Sequence, residues 1–228
     1  MEEIRIDRLE VLRYLGYHGQ KMTEADERRI DDCIAAMERG AKPRFIYRIF
    51  DIAQDFAREE IRILETNMIF RGRDIYEHLR SYKKCAVLAA TLGIEVDNMI
   101  RIAQRTDMTR AVILDACAGD MIEKVCDAAE REIEAVAAKE KKGLNFRFSP
   151  GYGDFPLETQ KEITAALETG KKIGLTLTEN SLMIPRKSVT AVVGFTFQIG
   201  KKKNTDRCST CSMQGQCRFR REGRTCGR

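Results

Sequence analysis

"LTLTENSLMIPRKSVTAVVGFTFQIG", residues 175–200, is rich in β-branched residues, alternates polar with apolar, and holds one proline, Pro185. The pattern predicts two strands around a turn at Pro185, a hairpin rather than the long crossover a parallel sheet needs. Further upstream, "PRFIYRIF" (43–50) opens on Pro43, is aromatic and branched, and reads as a strand. The segment after it, to about Phe70, fits helix or strand. "CAVLAATLG" (85–93) is apolar throughout and reads as a strand buried on both faces. The fold expected is α+β, with helices packed around an antiparallel β-sheet rather than a doubly wound one.

Helices lie between these strands. In "KMTEADERRIDDCIAAMERG" (21–40), Thr23 is a cap, Asp26 completes a capping box, Ile30, Cys33, Ile34 and Met37 form a stripe, and Gly40 ends the helix. "IEVDNMIRIAQRT" (94–106) has helical spacing. From 107 to 142, Val112, Ala116, Gly119, Ile122, Cys126, Ala129, Ile133 and Val136 step by three or four, with Gly119 a candidate break and Gly143 a candidate C-cap. "ETQKEITAALETGKKIG" (158–174) is a short helix expected to stop at Gly170.

The 228 residues suit one core, residues 1–200, with a small appendage, 201–228. From Lys201 to Arg228 nine basic residues face only Asp206 and Glu222, so the net charge of +5 belongs to this tail and the rest is slightly acidic. "MEEIRIDRLEVL" is acidic and amphipathic, unlike a signal peptide, and the longest apolar run is about half of what a membrane span needs. A cytoplasmic protein with reduced thiols and no membrane partner is expected. Cys33, Cys85, Cys117 and Cys126 sit singly in apolar segments and read as small buried hydrophobes.

The loop "RFSPGYGDFP" (147–156) carries the first chemical signal. Its two prolines stiffen it, Gly151 and Gly153 let a ligand approach the backbone, Arg147 can grip a carboxylate, and Tyr152 can lie against a flat base or a cation. Carboxylate, flat ring and positive centre together describe S-adenosylmethionine. No Gly-x-Gly-x-x-Gly and no Gly-Lys-Ser/Thr loop is present, so a Rossmann or P-loop phosphate cradle is excluded.

"RFSPGYGDFP" followed by "LTENSLMIPRKSVTAVVGF" resembles the reactivation (S-adenosylmethionine-binding) domain of cobalamin-dependent methionine synthase, here in a stand-alone form. The Arg-x-x-x-Gly-Tyr signature falls on Arg147, Gly151 and Tyr152, and the later elements on Leu177 to Glu179, Met183, Pro185, Ser188 and Val189. The resemblance is strong from about 144 to 197. Upstream, "AATLGIEVD" and "RTDMTRAVILDACAGDMIE" look like equivalents in small stand-alone members.

The resemblance implies a C-shaped α/β structure whose shallow groove binds S-adenosylmethionine, the methyl donor for reductive methylation of cob(II)alamin. It implies that Arg147 holds the ligand carboxylate, Ser149 offers backbone contacts, and Gly151 and Tyr152 shape the adenosyl side. The upstream Asp-Trp-Thr-Pro segment that meets the ligand ammonium in larger members is missing, leaving that role unassigned; Asp154, Glu158 and Glu179 read as solvated loop acids. The cobalamin-binding Asp-x-His-x-x-Gly is also missing, so the partner implied is a cobalamin-bearing methionine synthase or other corrinoid protein. An electron donor such as a flavodoxin or ferredoxin completes the system.

The tail "CSTCSMQGQCRFRREGRTC" sets Cys208, Cys211, Cys217 and Cys226 in a C-x2-C-x5-C-x8-C pattern, suited to tetrahedral zinc or to an iron-sulfur cluster. Six flanking arginines favour the thiolate forms. The pattern C-x3-C-x2-C of radical S-adenosylmethionine enzymes is absent. The alternative from another class is a nucleic-acid-binding module gripping phosphates with the basic metal-binding tail, but it leaves the 147–156 loop unexplained. An ordinary methyltransferase acting without a corrinoid is the third reading.

Overall fold

Strand β4 (Lys84–Thr91) is buried from Cys85 to Thr91, as its unbroken apolar run requires, and the fold is layered around it. The computed structural model describes residues 4–17 and 19–197. β4 pairs antiparallel with β1 (Arg44–Asp55) on one side and β8 (Ser188–Thr196) on the other, with Leu88 facing Tyr47 and Ala191. Beyond β1 lie β2 (Glu60–Ile63) and β3 (Ile69–Arg71); beyond β8 lies the two-residue β5 (Gly143–Leu144). All pairings in this six-stranded sheet are antiparallel, and the segment after Phe50 is therefore strand.

Because side chains alternate along a strand, β4 feeds two cores. Cys85, Val87 and Ala89 pack with Phe70, Phe155, Ile163 and Leu167, from the side of α3 (Arg73–Leu79) and α6 (Thr159–Leu167). Ala86, Leu88 and Ala90 face the other way. There the first two meet Ile133 and Ala137 of α5 (Met108–Lys139), while Ala90 joins a cluster with α1 (Arg8–Tyr14), α2 (Glu24–Gly40) and α4 (Ile94–Thr106). The result is three layers, α–β–α, with an antiparallel sheet in the middle.

The α2 capping box forms as expected: Asp26 N–H donates to Thr23 Oγ1 and Thr23 N–H to Asp26 Oδ2, both at 3.2 Å. Several boundaries differ from the sequence reading. Gly119 does not divide α5, which runs unbroken for 32 residues, and Gly143 opens β5 instead of capping a helix that already closes at Glu140. The break after α6 falls at Glu168, whose φ of 52° is left-handed, and Gly170 lies inside a separate turn, α7 (Thr169–Lys172). The expected hairpin is also redistributed. Met183–Ile184 (β7) pairs back with Thr176–Leu177 (β6), whereas β8 leaves for the main sheet and pairs with β4 and β5.

Candidate functional site

The site forms where the chain leaves the sheet edge. After β5, Asn145 extends the ladder: its N–H donates to Gly194 O and its Oδ1 accepts from Gly194 N–H at 2.6 Å. Phe148 then exchanges two backbone bonds with Val192, at 2.9 and 2.8 Å. Pinned on either side, Arg147 is directed at α5.

Its guanidinium meets three carboxylates there. Nη1 donates to Asp127 Oδ1 (2.9 Å) and Glu130 Oε2 (2.7 Å), and Nη2 donates to Glu123 Oε2 (2.7 Å). The acids are four and three residues apart, a spacing that places them on one helix face. Burial opposes the arginine's charge, but these carboxylates outweigh it and hold its pKa above the ordinary value. Of the five guanidinium N–H donors, Nε–H and one Nη2–H have no partner among the described residues. One cation among three carboxylates leaves the cluster with an excess of negative charge.

The loop after Arg147 is held by its own backbone bonds. Gly151 N–H donates to Phe155 O (2.8 Å), Tyr152 N–H to Ser149 O (3.2 Å) and Phe155 N–H to Tyr152 O (3.1 Å). Phe155 is the anchor: it is buried, edge-on to Phe70 and stacked with Phe148. Asp154 is exposed, as expected of a loop acid, but it is not idle. Its two oxygens accept from Arg73 N–H (2.7 Å) and Asp74 N–H (3.0 Å), capping α3 and holding its pKa below the usual carboxylate range. Gly153 suits this turn: its φ of +54° is left-handed, and a Cβ would push the Asp74 carboxylate aside. Tyr152 stays 69% exposed at the tip.

Ser149, Gly151 and Tyr152 thus share one hydrogen-bonded turn, while Arg147, two residues before it, turns its guanidinium to α5. Glu123, Asp127 and Glu130 are the residues the sequence reading missed; their signal was a polar stripe at helical spacing opposite a lone arginine. Cys208, Cys211, Cys217 and Cys226 lie outside the described residues. Among the described residues no group of His, Cys, Asp or Glu is arranged to hold a metal ion, and no helix is long and apolar enough to cross a membrane.

Residues 77–203, more than half of the chain, match the family model described as vitamin B12 dependent methionine synthase, activation domain. The chain belongs to this activation-domain family. The match spans the 147–156 loop, α5 and β8, and begins after α1, α2 and the first three strands. Among solved structures, a crystal structure of the MetH reactivation domain bound to AdoHcy aligns with a TM-score of 0.64 at 17% identity, over 96% of this chain and 82% of that one. At that identity the likeness establishes that an activation domain and this chain share a fold. No curated protein sequence matches the chain.

Proposed function

We propose that the chain is a stand-alone reactivation component for a cobalamin-dependent methionine synthase or related corrinoid methyltransferase, binding S-adenosylmethionine as methyl donor. The observation that carries the reading is the Arg147 cluster, set in the part of the chain that matches the activation-domain family. The two guanidinium donors left over suit a ligand carboxylate. Glu123, Asp127 and Glu130 suit its ammonium, taking the role that the missing upstream acid leaves vacant, and their excess negative charge also favours a sulfonium over a neutral thioether. Ser149 and Gly151, in the turn that follows Arg147, would offer backbone contacts, and Tyr152 a ring.

The corrinoid, carried by the partner, supplies the nucleophile once one electron has reduced it from the cob(II) state. The methyl group of S-adenosylmethionine would pass to that partner corrinoid, its carbon–sulfur bond breaking with the electron pair kept by S-adenosylhomocysteine. On this reading the chain's own residues would hold the amino-acid end of the ligand, and the partner would approach its sulfonium. The cysteines of the tail are proposed to hold zinc or an iron-sulfur cluster, the latter as a port for the electron. Metal analysis of anaerobically purified protein decides between them, and a zinc-loaded, iron-free preparation excludes the port.

The test mixes the protein with a cob(II)alamin-loaded corrinoid protein, reduced flavodoxin or ferredoxin, and S-adenosylmethionine, and follows the cobalamin spectrum. Conversion to methylcobalamin that requires this chain and is abolished by Arg147→Ala supports the reading. Persistence of cob(II)alamin with every corrinoid protein offered, alongside measured S-adenosylmethionine binding, would assign the site to another methyl transfer.

A further inference from the structure

We propose that α3 is a positioning strut for Arg147, acting through Asn145 and His78. The inference rests on the reading of Arg147 given above and names the residues that hold this arginine's direction. The segment that carries the site is tied to α3 at both of its ends. At its start, Asn145 Nδ2 donates to His78 O at 3.0 Å; at its end, Asp154 accepts from Arg73 N–H and Asp74 N–H. A helix leaves its first N–H groups and last carbonyls without partners of its own. Here both ends of α3 find partners in residues 145–154, with Arg147, Ser149, Gly151 and Tyr152 between the two ties.

Asn145 reaches α3 beside Gly194. Its Oδ1 accepts from Gly194 N–H at 2.6 Å and its own N–H donates to Gly194 O at 3.0 Å, which leaves Nδ2 for the His78 carbonyl. One orientation of the amide therefore serves both side-chain bonds. A glycine inside a strand marks a close approach, and a Cβ on Gly194 would stand 2.9 Å from Asn145 Nδ2, 2.6 Å from the Tyr82 ring and 3.1 Å from Leu79. The missing side chain leaves the amide room to cross from β8 to α3.

His78 acts on the residues either side of the arginine. Its ring lies 4.5 Å from the Phe146 ring and 5.2 Å from the Phe148 ring, centre to centre. Side chains alternate along an extended segment, so Phe146 and Phe148 meet α3 while Arg147 is turned to α5. Contact with both phenylalanines fixes the rotation of the segment about its own axis, and that rotation decides whether the guanidinium meets Glu123, Asp127 and Glu130. A side chain held in its binding direction before the ligand arrives binds at lower entropic cost.

Nitrogen NMR of the Arg147 guanidinium in the full chain tests the strut without a ligand, and Arg147→Lys identifies its signals. Nη1 and Nη2 bond to different carboxylates, so rotation should be slow and the wild type should show two separate signals. Asn145→Ala and His78→Ala are each expected to merge them, with helical circular dichroism retained. Asn145→Asp keeps the acceptor for Gly194 N–H, loses only the donor to His78 O, and should merge them too; His78→Phe, which restores a ring, should keep them apart. Calorimetry on the folded variants with merged signals should show S-adenosylmethionine and S-adenosylhomocysteine weakened about five- to tenfold. A merely structural role would instead lower the urea midpoint and leave the folded protein's affinity as it was. Separate signals in the Asn145 and His78→Ala variants, or a single averaged signal in the wild type, overturn the strut. Merged signals with wild-type affinity leave the strut standing and overturn the reading of Arg147, as does a wild type that binds neither ligand.

Discussion

Arg147 and Glu130 form the most enclosed contact of the site, at 2.7 Å with 19% and 13% of their side chains exposed. Asp127 shares the same Nη1 at 2.9 Å. Arg147 therefore has a structural role, whatever ligand it meets. Arg147→Ala would leave three partly buried carboxylates close together on α5, and breaking such a pair costs more than the pair is worth. The expected loss is about 2–3 kcal/mol, read as a lower urea midpoint with an unchanged slope, and Arg147→Lys should recover only part of it because a point charge cannot reach three acids.

Glu123 is the outermost acid of the cluster, 49% exposed, and so the one to change with least harm to the fold. Glu123→Gln keeps the shape and removes one negative charge. It should reduce the preference for sulfonium S-adenosylmethionine over neutral S-adenosylhomocysteine by several-fold, about 1 kcal/mol, and the effect should shrink in salt. Calorimetry of both ligands at two ionic strengths measures it. An equal loss for the two ligands would show that Glu123 acts by shape alone.

Asp154 makes stability depend on acidity. Its pKa is lowered, chiefly by the N–H groups of Asp74 and Arg73, below an unfolded value of about 3.9. A depressed carboxylate stabilises the fold fully above the unfolded pKa and loses that contribution as pH falls through the folded one. Asp154→Ala should cost about 1 kcal/mol at pH 7, as for other helix caps, and the difference from wild type should shrink as pH falls below the unfolded carboxylate pKa and through the lower folded one. Thermal melts of the two proteins against pH give the comparison.

The four cysteines of the core should be chemically silent. Burial pushes Cys117 and Cys126 up to about 12, and Cys33 and Cys85 also upward. At pH 8 almost no thiolate exists at these positions. Titration of the native, metal-stripped protein with a thiol reagent should therefore give no more than four fast groups of the eight, and denaturant should release the rest. A fifth fast thiol would mean that one of these core positions opens readily.

Much of this fold could be read from local rules, because local rules built it. Thr23 and Asp26 cap α2 by a bond pattern that needs nothing beyond three residues, and the apolar run of β4 needs only to be covered on both faces. What could not be read depends on distant partners. Whether Met183–Ile184 pairs with β8 or with β6 is settled by β4, whose open edge takes β8 along seven residues. Glu168 breaks its helix where glycine was expected to, at a strain that packing around Ile163 and Leu167 offsets. The loop announced itself through Arg147, Gly151 and Tyr152, yet the acids that meet the arginine lie 17 to 24 residues earlier and only the fold brings them in.

Gly119 shows the same limit and yields a sharp test. A glycine in a helix interior costs about 1 kcal/mol against alanine, which is why it looked like a boundary. Yet α5 continues through it, with Tyr14 standing beside the gap; a Cβ would meet the Tyr14 ring at 3.8 and 4.0 Å, ordinary contact with no clash. Gly119→Ala should therefore raise stability by roughly 0.5–1 kcal/mol, from higher helix propensity and a less mobile unfolded chain. In a domain of this size the melting temperature should rise by about 2–4 °C. A lower melting temperature would mean that Tyr14 packs more tightly against the helix than these distances allow.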